Sequence, residues 1–180
     1  MPNFAEQTVN DRSTDFARSQ LTTTGGDNMI FQFGRYTLDV DVEKTKAFYD
    51  SNRSVTTDEA CSCARCQLFP HAIMSSSDAI LKFLRRLGID PRKPGEVFGY
   101  SDNETDRHQY SGWYHIVGTL REGKIIGKFY DDSNAFLPDI NAEFRVWFED
   151  DPERMGWIEQ GFPVPILEMS FSAILSTPKA

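Results

Sequence analysis

Cys61, Cys63 and Cys66 fall within six consecutive residues, Cys61-Ser62-Cys63-Ala64-Arg65-Cys66, and they are the chain's three cysteines. Thiolates are soft, anionic donors that can converge tetrahedrally on zinc from one tight turn. Cys63 and Cys66 have the C-x-x-C spacing of half a zinc site. Cys61 lies just upstream, and His71 follows Cys66 after four intervening residues. The expected metal set is therefore Cys61, Cys63, Cys66 and His71, with zinc as the cofactor such a set would hold.

Other chemistry fits the same residues as well. Small thiols pack at helix starts, where cysteine behaves as a small hydrophobe. A thiolate stabilised by Arg65 and a helix N-terminus would be redox-active. A nucleophilic cysteine would need His71, His108 or His115 as its base. The segment Cys63, Cys66, His71 also resembles a zinc knuckle, C-x-x-C-x-x-x-x-H-x-x-x-x-C, but Ser76 stands where its last cysteine would fall.

Beyond the cysteines, Asp39 and Asp41 share one face of a strand, a spacing suited to paired carboxylates. An exposed strand face needs polar groups anyway, and Asp41 has a helix to cap. His108 and His115 flank Tyr110, Trp113 and Tyr114, residues that can line a ligand pocket or simply furnish a sheet. The acidic loops Asp131-Asp132-Ser133-Asn134 and Glu149-Asp150-Asp151 lack the spaced oxygens and distal Glu of a calcium loop. No phosphate-cradling glycine motif and no G-x-S-x-G is present. No catalytic residue is assigned.

Composition narrows the partners. The chain has 180 residues and a formal charge of -8, so its overall field repels nucleic-acid backbones and anionic membranes. No apolar run approaches the ~20 residues needed to cross a bilayer. Three cysteines in one short stretch cannot staple distant segments, which favours the reducing cytoplasm. These features point to a protein partner, with a basic one favoured by charge, and to neither nucleic acid nor membrane.

Elements must position these residues. Residues 1–28 are polar, end in Thr22-Thr23-Thr24-Gly25-Gly26-Asp27-Asn28, and read as a flexible tail, leaving 29–180 as a single domain. Alternation across Tyr36, Leu38, Val40 and Val42 predicts a strand, and Asp41 then caps a helix through Glu43–Tyr49. Residues 50–60 read as a loop leading into the cysteine turn. Ser76 or Ser77 caps a second helix with Ile80, Leu81, Leu84 and Leu87 on its buried stripe, ended by Gly88. Strands are predicted at Glu96–Tyr100, Tyr110–Leu120, Ile125–Tyr130, Phe144–Phe148 and Val164–Ile174, the last with Leu167, Met169, Phe171 and Ala173 on one face. The fold class that follows is α+β, a mostly antiparallel sheet of five or six strands with two helices on one face. With 14 phenylalanines in the chain, rings should fill much of its core.

The run Tyr36-Thr37-Leu38-Asp39-Val40-Asp41-Val42-Glu43-Lys44-Thr45-Lys46-Ala47-Phe48-Tyr49, the cysteine turn with Phe69, and Leu87-Gly88-Ile89-Asp90-Pro91 with Lys93-Pro94-Gly95-Glu96 resemble a group of small bacterial and phage proteins. In that group a strand, a C-x-C-x-x-C turn and an L-G-[IV]-D segment recur in this order. The resemblance spans roughly Tyr36 to Tyr114 and implies a bacterial or phage cytoplasmic protein, with no activity attached. Two functions of different kinds are expected: a non-enzymatic binding protein with a structural cysteine turn, or a small zinc-dependent or thiol-based enzyme or sensor using Cys61, Cys63 and Cys66.

Overall fold

A computed structural model describes residues 22–23, 28–52, 63–101, 107–123, 139–141 and 143–176. The chain order is β1 (Thr22–Thr23), β2 (Asn28–Phe33), β3 (Tyr36–Asp41), α1 (Val42–Ser51), α2 (Ala64–Met74), α3 (Asp78–Arg86), β4 (Glu96–Ser101), β5 (Arg107–Glu122), β6 (Asp139–Asn141), β7 (Phe144–Glu149) and β8 (Ile166–Ser176). All pairings are antiparallel, in the order β1-β2-β3-β5-β8-β7-β6, with β4 beside β5 on the same side as β3. The fold is α+β, as the sequence predicts. Among the described residues none of the helices is long and apolar enough to cross a membrane.

Four elements go beyond expectation: the short strands β1, within the segment read as a tail, and β6, the strand β2 and the helix α2. A strand, β2, precedes β3 and joins it through Gly34-Arg35, with Phe33 opposite Tyr36. Gly34 has φ 55 and Arg35 does not enter the positive region, the pattern of a II′ turn, whose twist matches the strands it joins. A third helix, α2, occupies the segment read as a turn. Cys63 caps it, Pro70 lies inside it, and Cys66, Phe69, Ala72 and Ile73 form its buried face. The other helices begin as predicted. Asp41 Oδ1 accepts the Lys44 N–H at 3.0 Å, and Ser77 Oγ accepts that of Ile80 at 3.5 Å. Burial would raise the Asp41 carboxyl, but the Lys44 N–H and ammonium outweigh it and hold that carboxyl low. The expected strand Ile125–Tyr130 and the loop residues 53–60 lie outside the described residues.

The helices cover the inner face of the sheet. Phe171 sits at its middle, with the rings of Phe69, Tyr114 and Phe144 at 5.7, 5.3 and 5.7 Å. Leu167, Met169 and Ala173 share that face and are buried, as alternation along β8 requires.

Helix α1 also completes the sheet. On the side away from β8, β5 pairs with β4 as far as Trp113 and with β3 from Gly118 onward, leaving a gap between them. Thr45 and Tyr49, one helical turn apart, fill it. The Thr45 hydroxyl accepts from Val117 N at 2.9 Å and donates to Asp41 O at 2.8 Å, and the Tyr49 hydroxyl donates to His115 O at 3.0 Å. Buried backbone groups need partners, and two side chains supply here what a strand supplies elsewhere.

Candidate functional site

The structure brings two of the predicted metal ligands together and sets a third apart. Cys63 is exposed at the N-cap of α2, and its sulfur accepts the Cys66 N–H at 3.2 Å. Cys66 is 6% exposed and its thiol donates to Val97 O at 3.4 Å. His71 is exposed on the same helix, five residues on, which places it about 140° around the axis from Cys66. Cys61 lies outside the described residues. Among the described residues no three His, Cys, Asp or Glu side chains are grouped to hold a metal.

The Cys66 thiol protects a strand edge. Among the described residues β4 pairs with β5 alone, and on its other side Val97 offers an N–H and a carbonyl. Glu96 Oε1 accepts the former at 3.1 Å and Cys66 takes the latter. Capped edges resist unwanted strand pairing.

The other candidates are occupied or separated. Asp39 pairs with Arg121 and accepts from Asn28, while Asp41 caps α1, so the two carboxylates are engaged separately. His108 and His115, seven residues apart on β5, fall on opposite faces of the sheet. His108 lies edge-on to Tyr110 on the helix-covered face.

His115 belongs instead to an acid–base row on the outer face. The register aligns His115 with Glu168 and Glu168 with Glu149, across β5, β8 and β7. All three are buried beneath residues 150–165, a strap between β7 and β8. Glu149 holds the start of the strap. Its Oε1 accepts from the N–H groups of Asp150 and Asp151, and its Oε2 lies 3.0 Å from Arg154 Nε. Glu168 holds the middle, accepting from Gly156 N at 2.6 Å and from the Ser170 hydroxyl at 2.7 Å. His115 Nε2 lies 3.7 Å from Glu168 Oε2, and Phe162 of the strap packs on the imidazole at 5.6 Å. Burial alone would raise the Glu168 carboxyl. The neighbouring imidazole, the Ser170 hydroxyl and the Gly156 N–H together outweigh it and hold the carboxyl below the usual range. Burial pushes the Glu159 carboxyl up, against the pull of His115 and Lys93.

This row has the residue types of acid–base catalysis but not the access. His115 is 2% exposed and cannot touch a substrate while the strap is in place. Its geometry is that of a clasp.

Beyond the clasp the same face opens by degrees, from a still-buried Ser170 to exposed Phe98, Tyr100 and Ile174. Three further rows run across it: Glu96, Trp113, Ser170 and Trp147; then Phe98, Ser111, Ser172 and Arg145; then Tyr100, Gln109 and Ile174. Phe98 is 46% exposed, Tyr100 57% and Ile174 43%. The exposed Trp157 of the strap borders the face, its carbonyl 3.4 Å from Trp113 Nε1, and Phe98 tilts on Trp113 at 5.9 Å. A separate open groove of about 610 Å³ lies between α1, α3 and residues 88–92, lined by both acids (Glu43, Asp50, Asp90) and bases (Lys46, Arg85, Arg92).

Sequence reasoning missed Glu149, Glu168 and the open face. Glu149 reads as part of an acidic loop. Glu168 stands between two core residues, Leu167 and Met169, and that polar interruption of β8 was the available signal. Comparison with protein-family models, curated proteins and solved structures found no match to this chain.

Proposed function

We propose that this is a non-enzymatic binding protein of the bacterial or phage cytoplasm, and that its open sheet face receives a protein partner. The observation that carries the reading is the set of large apolar side chains, Phe98, Tyr100, Ile174 and Trp157, exposed around the facing Ser111–Ser172 pair. Apolar and aromatic side chains gathered on one surface, with hydroxyls between them, have the composition of a protein interface core. A chain charge of -8 favours encounter with a basic partner. It also weighs against single-stranded nucleic acid, which needs aromatic platforms set in a basic groove. On this face Arg107 is already paired with Glu143 at 2.6 Å.

The buried clasp supports a non-enzymatic role, because the His–carboxylate arrangement seen on this face among the described residues is spent on holding the strap. A photo-crosslinking residue at position 98, compared with one at position 46 in the groove on the other side, tests the reading in cells. A basic protein captured from position 98 and absent from 46 is the expected result. Crosslinks to nucleic acid, or to a second copy of this chain, would contradict it.

A further inference from the structure

Cys63 and Cys66 are more than a cap and its neighbour. They stand three residues apart at the start of an eleven-residue helix, the first exposed and the second buried. The Cys63 sulfur points at the helix N-terminus, where the Cys66 N–H donates to it. A sulfur in that position is more stable as thiolate, because the Cys66 N–H and the positive end of the helix dipole face it. Cys66 lies one turn away, shielded from solvent with its proton on Val97 O. One thiol is thus placed to attack and the other is withheld from solvent but within the same turn.

We propose that Cys63 and Cys66 form a redox switch on this binding protein, a dithiol that disulfides oxidise stoichiometrically, with Cys63 attacking and Cys66 resolving. The Cys63 thiolate attacks one sulfur of a disulfide RS–SR′, forming a mixed disulfide with R and releasing R′S⁻, which takes up a proton. Cys66 then gives up its proton and attacks the Cys63 sulfur. A Cys63–Cys66 disulfide forms and RSH leaves. Two electrons pass from the protein to the disulfide, with one proton from the Cys66 thiol and one from solvent, and RS–SR′ is reduced to two thiols. The exchange uses the Cys66 S–H and so withdraws the donor from Val97 O. Oxidation therefore uncaps the edge of β4, the strand that carries Phe98 and Tyr100.

Oxidised glutathione is the probe, added to the full chain with Cys61 replaced by Ser. Mass spectrometry should show loss of two hydrogens and a peptide map linking Cys63 to Cys66. The rate of alkylation at Cys63 should have its pH midpoint below about 7.5, against about 8.5 for a free thiol. Cys66→Ser should instead accumulate a stable glutathione adduct at Cys63. Cys63→Ser should abolish reaction while keeping the helix, since serine caps as well as cysteine, so loss of activity there cannot be ascribed to misfolding. In the wild-type chain the bond should map to the same pair. A Cys63 midpoint at or above the free-thiol value, a bond that joins Cys61 instead, or stoichiometric zinc that blocks the reaction would each overturn the proposal.

Discussion

Gly156 donates its N–H to Glu168 at 2.6 Å, and this bond ties the middle of the strap to the sheet. The position admits only glycine. A Cβ there would lie 2.4 Å from the Trp113 ring, whose neighbours on the sheet hold it in place. Gly156→Ala should therefore lift the strap and cost about 1–3 kcal/mol, as overpacking does. Chemical denaturation measures the cost, and a shift in tryptophan emission would report the exposure of Trp113.

The same clasp sets a pH dependence. The folded protein holds the Glu168 carboxyl low, so its contribution is complete above the unfolded value of about 4.3 and is lost as pH falls through the folded value. Asp41 and Asp90, also held low, act in the same direction. Glu168→Gln should flatten the acid limb of the stability curve. Glu159 has the opposite sign: its raised carboxyl favours the fold below the unfolded value, and that benefit disappears as pH rises through the folded value. Glu159→Gln should thus raise the melting temperature at pH 7 and lose that advantage in acid. Melting curves from pH 3 to 8 on both variants check the two signs.

Thr45 and Val117 supply a third prediction. Thr45→Val keeps the shape of the side chain but leaves the buried Val117 N–H without an acceptor, which costs about 1–3 kcal/mol. Tyr49→Phe, which removes the donor to His115 O, should destabilise in the same way. Hydrogen exchange at Val117 should accelerate in Thr45→Val more than at the core residues of β8. Equal acceleration everywhere would mean that the helix does not patch the sheet locally.

Core packing was the legible part of this sequence. Phe171→Ala should cost about 3–5 kcal/mol, because the rings of Phe69, Tyr114 and Phe144 converge on it. The inward face of β8, the Asp41 cap and the α3 stripe were all readable from local periodicity. Helix α2 was not, since Pro70 and the clustered thiols look like turn chemistry, and only packing of Phe69 and Ile73 on the sheet overrides that signal. β2 was missed because Met29, Ile30 and Phe31 do not alternate in polarity. The row His115, Glu168, Glu149 depends on the pairing of β5 with β8 and of β8 with β7. Register between strands distant in the chain has no local sequence signature, so neither the clasp nor the open face could be assembled from the residues alone. Of the predicted zinc set, Cys63 and Cys66 were legible as neighbours. The helix that turns His71 away from Cys66 was not.

Partner binding at the open face can be tested directly. With the protein captured from position 98 in hand, its affinity should be measured by titration calorimetry for the wild type, Phe98→Ala, Tyr100→Ala and Lys46→Ala. Phe98 and Tyr100 are exposed, so their truncation should leave the melting temperature nearly unchanged. Each should weaken binding by about tenfold or more, the cost of losing an aromatic anchor from an interface centre. Lys46→Ala should bind as the wild type does. Unchanged affinity in both aromatic variants would contradict the assignment of this face as the binding surface.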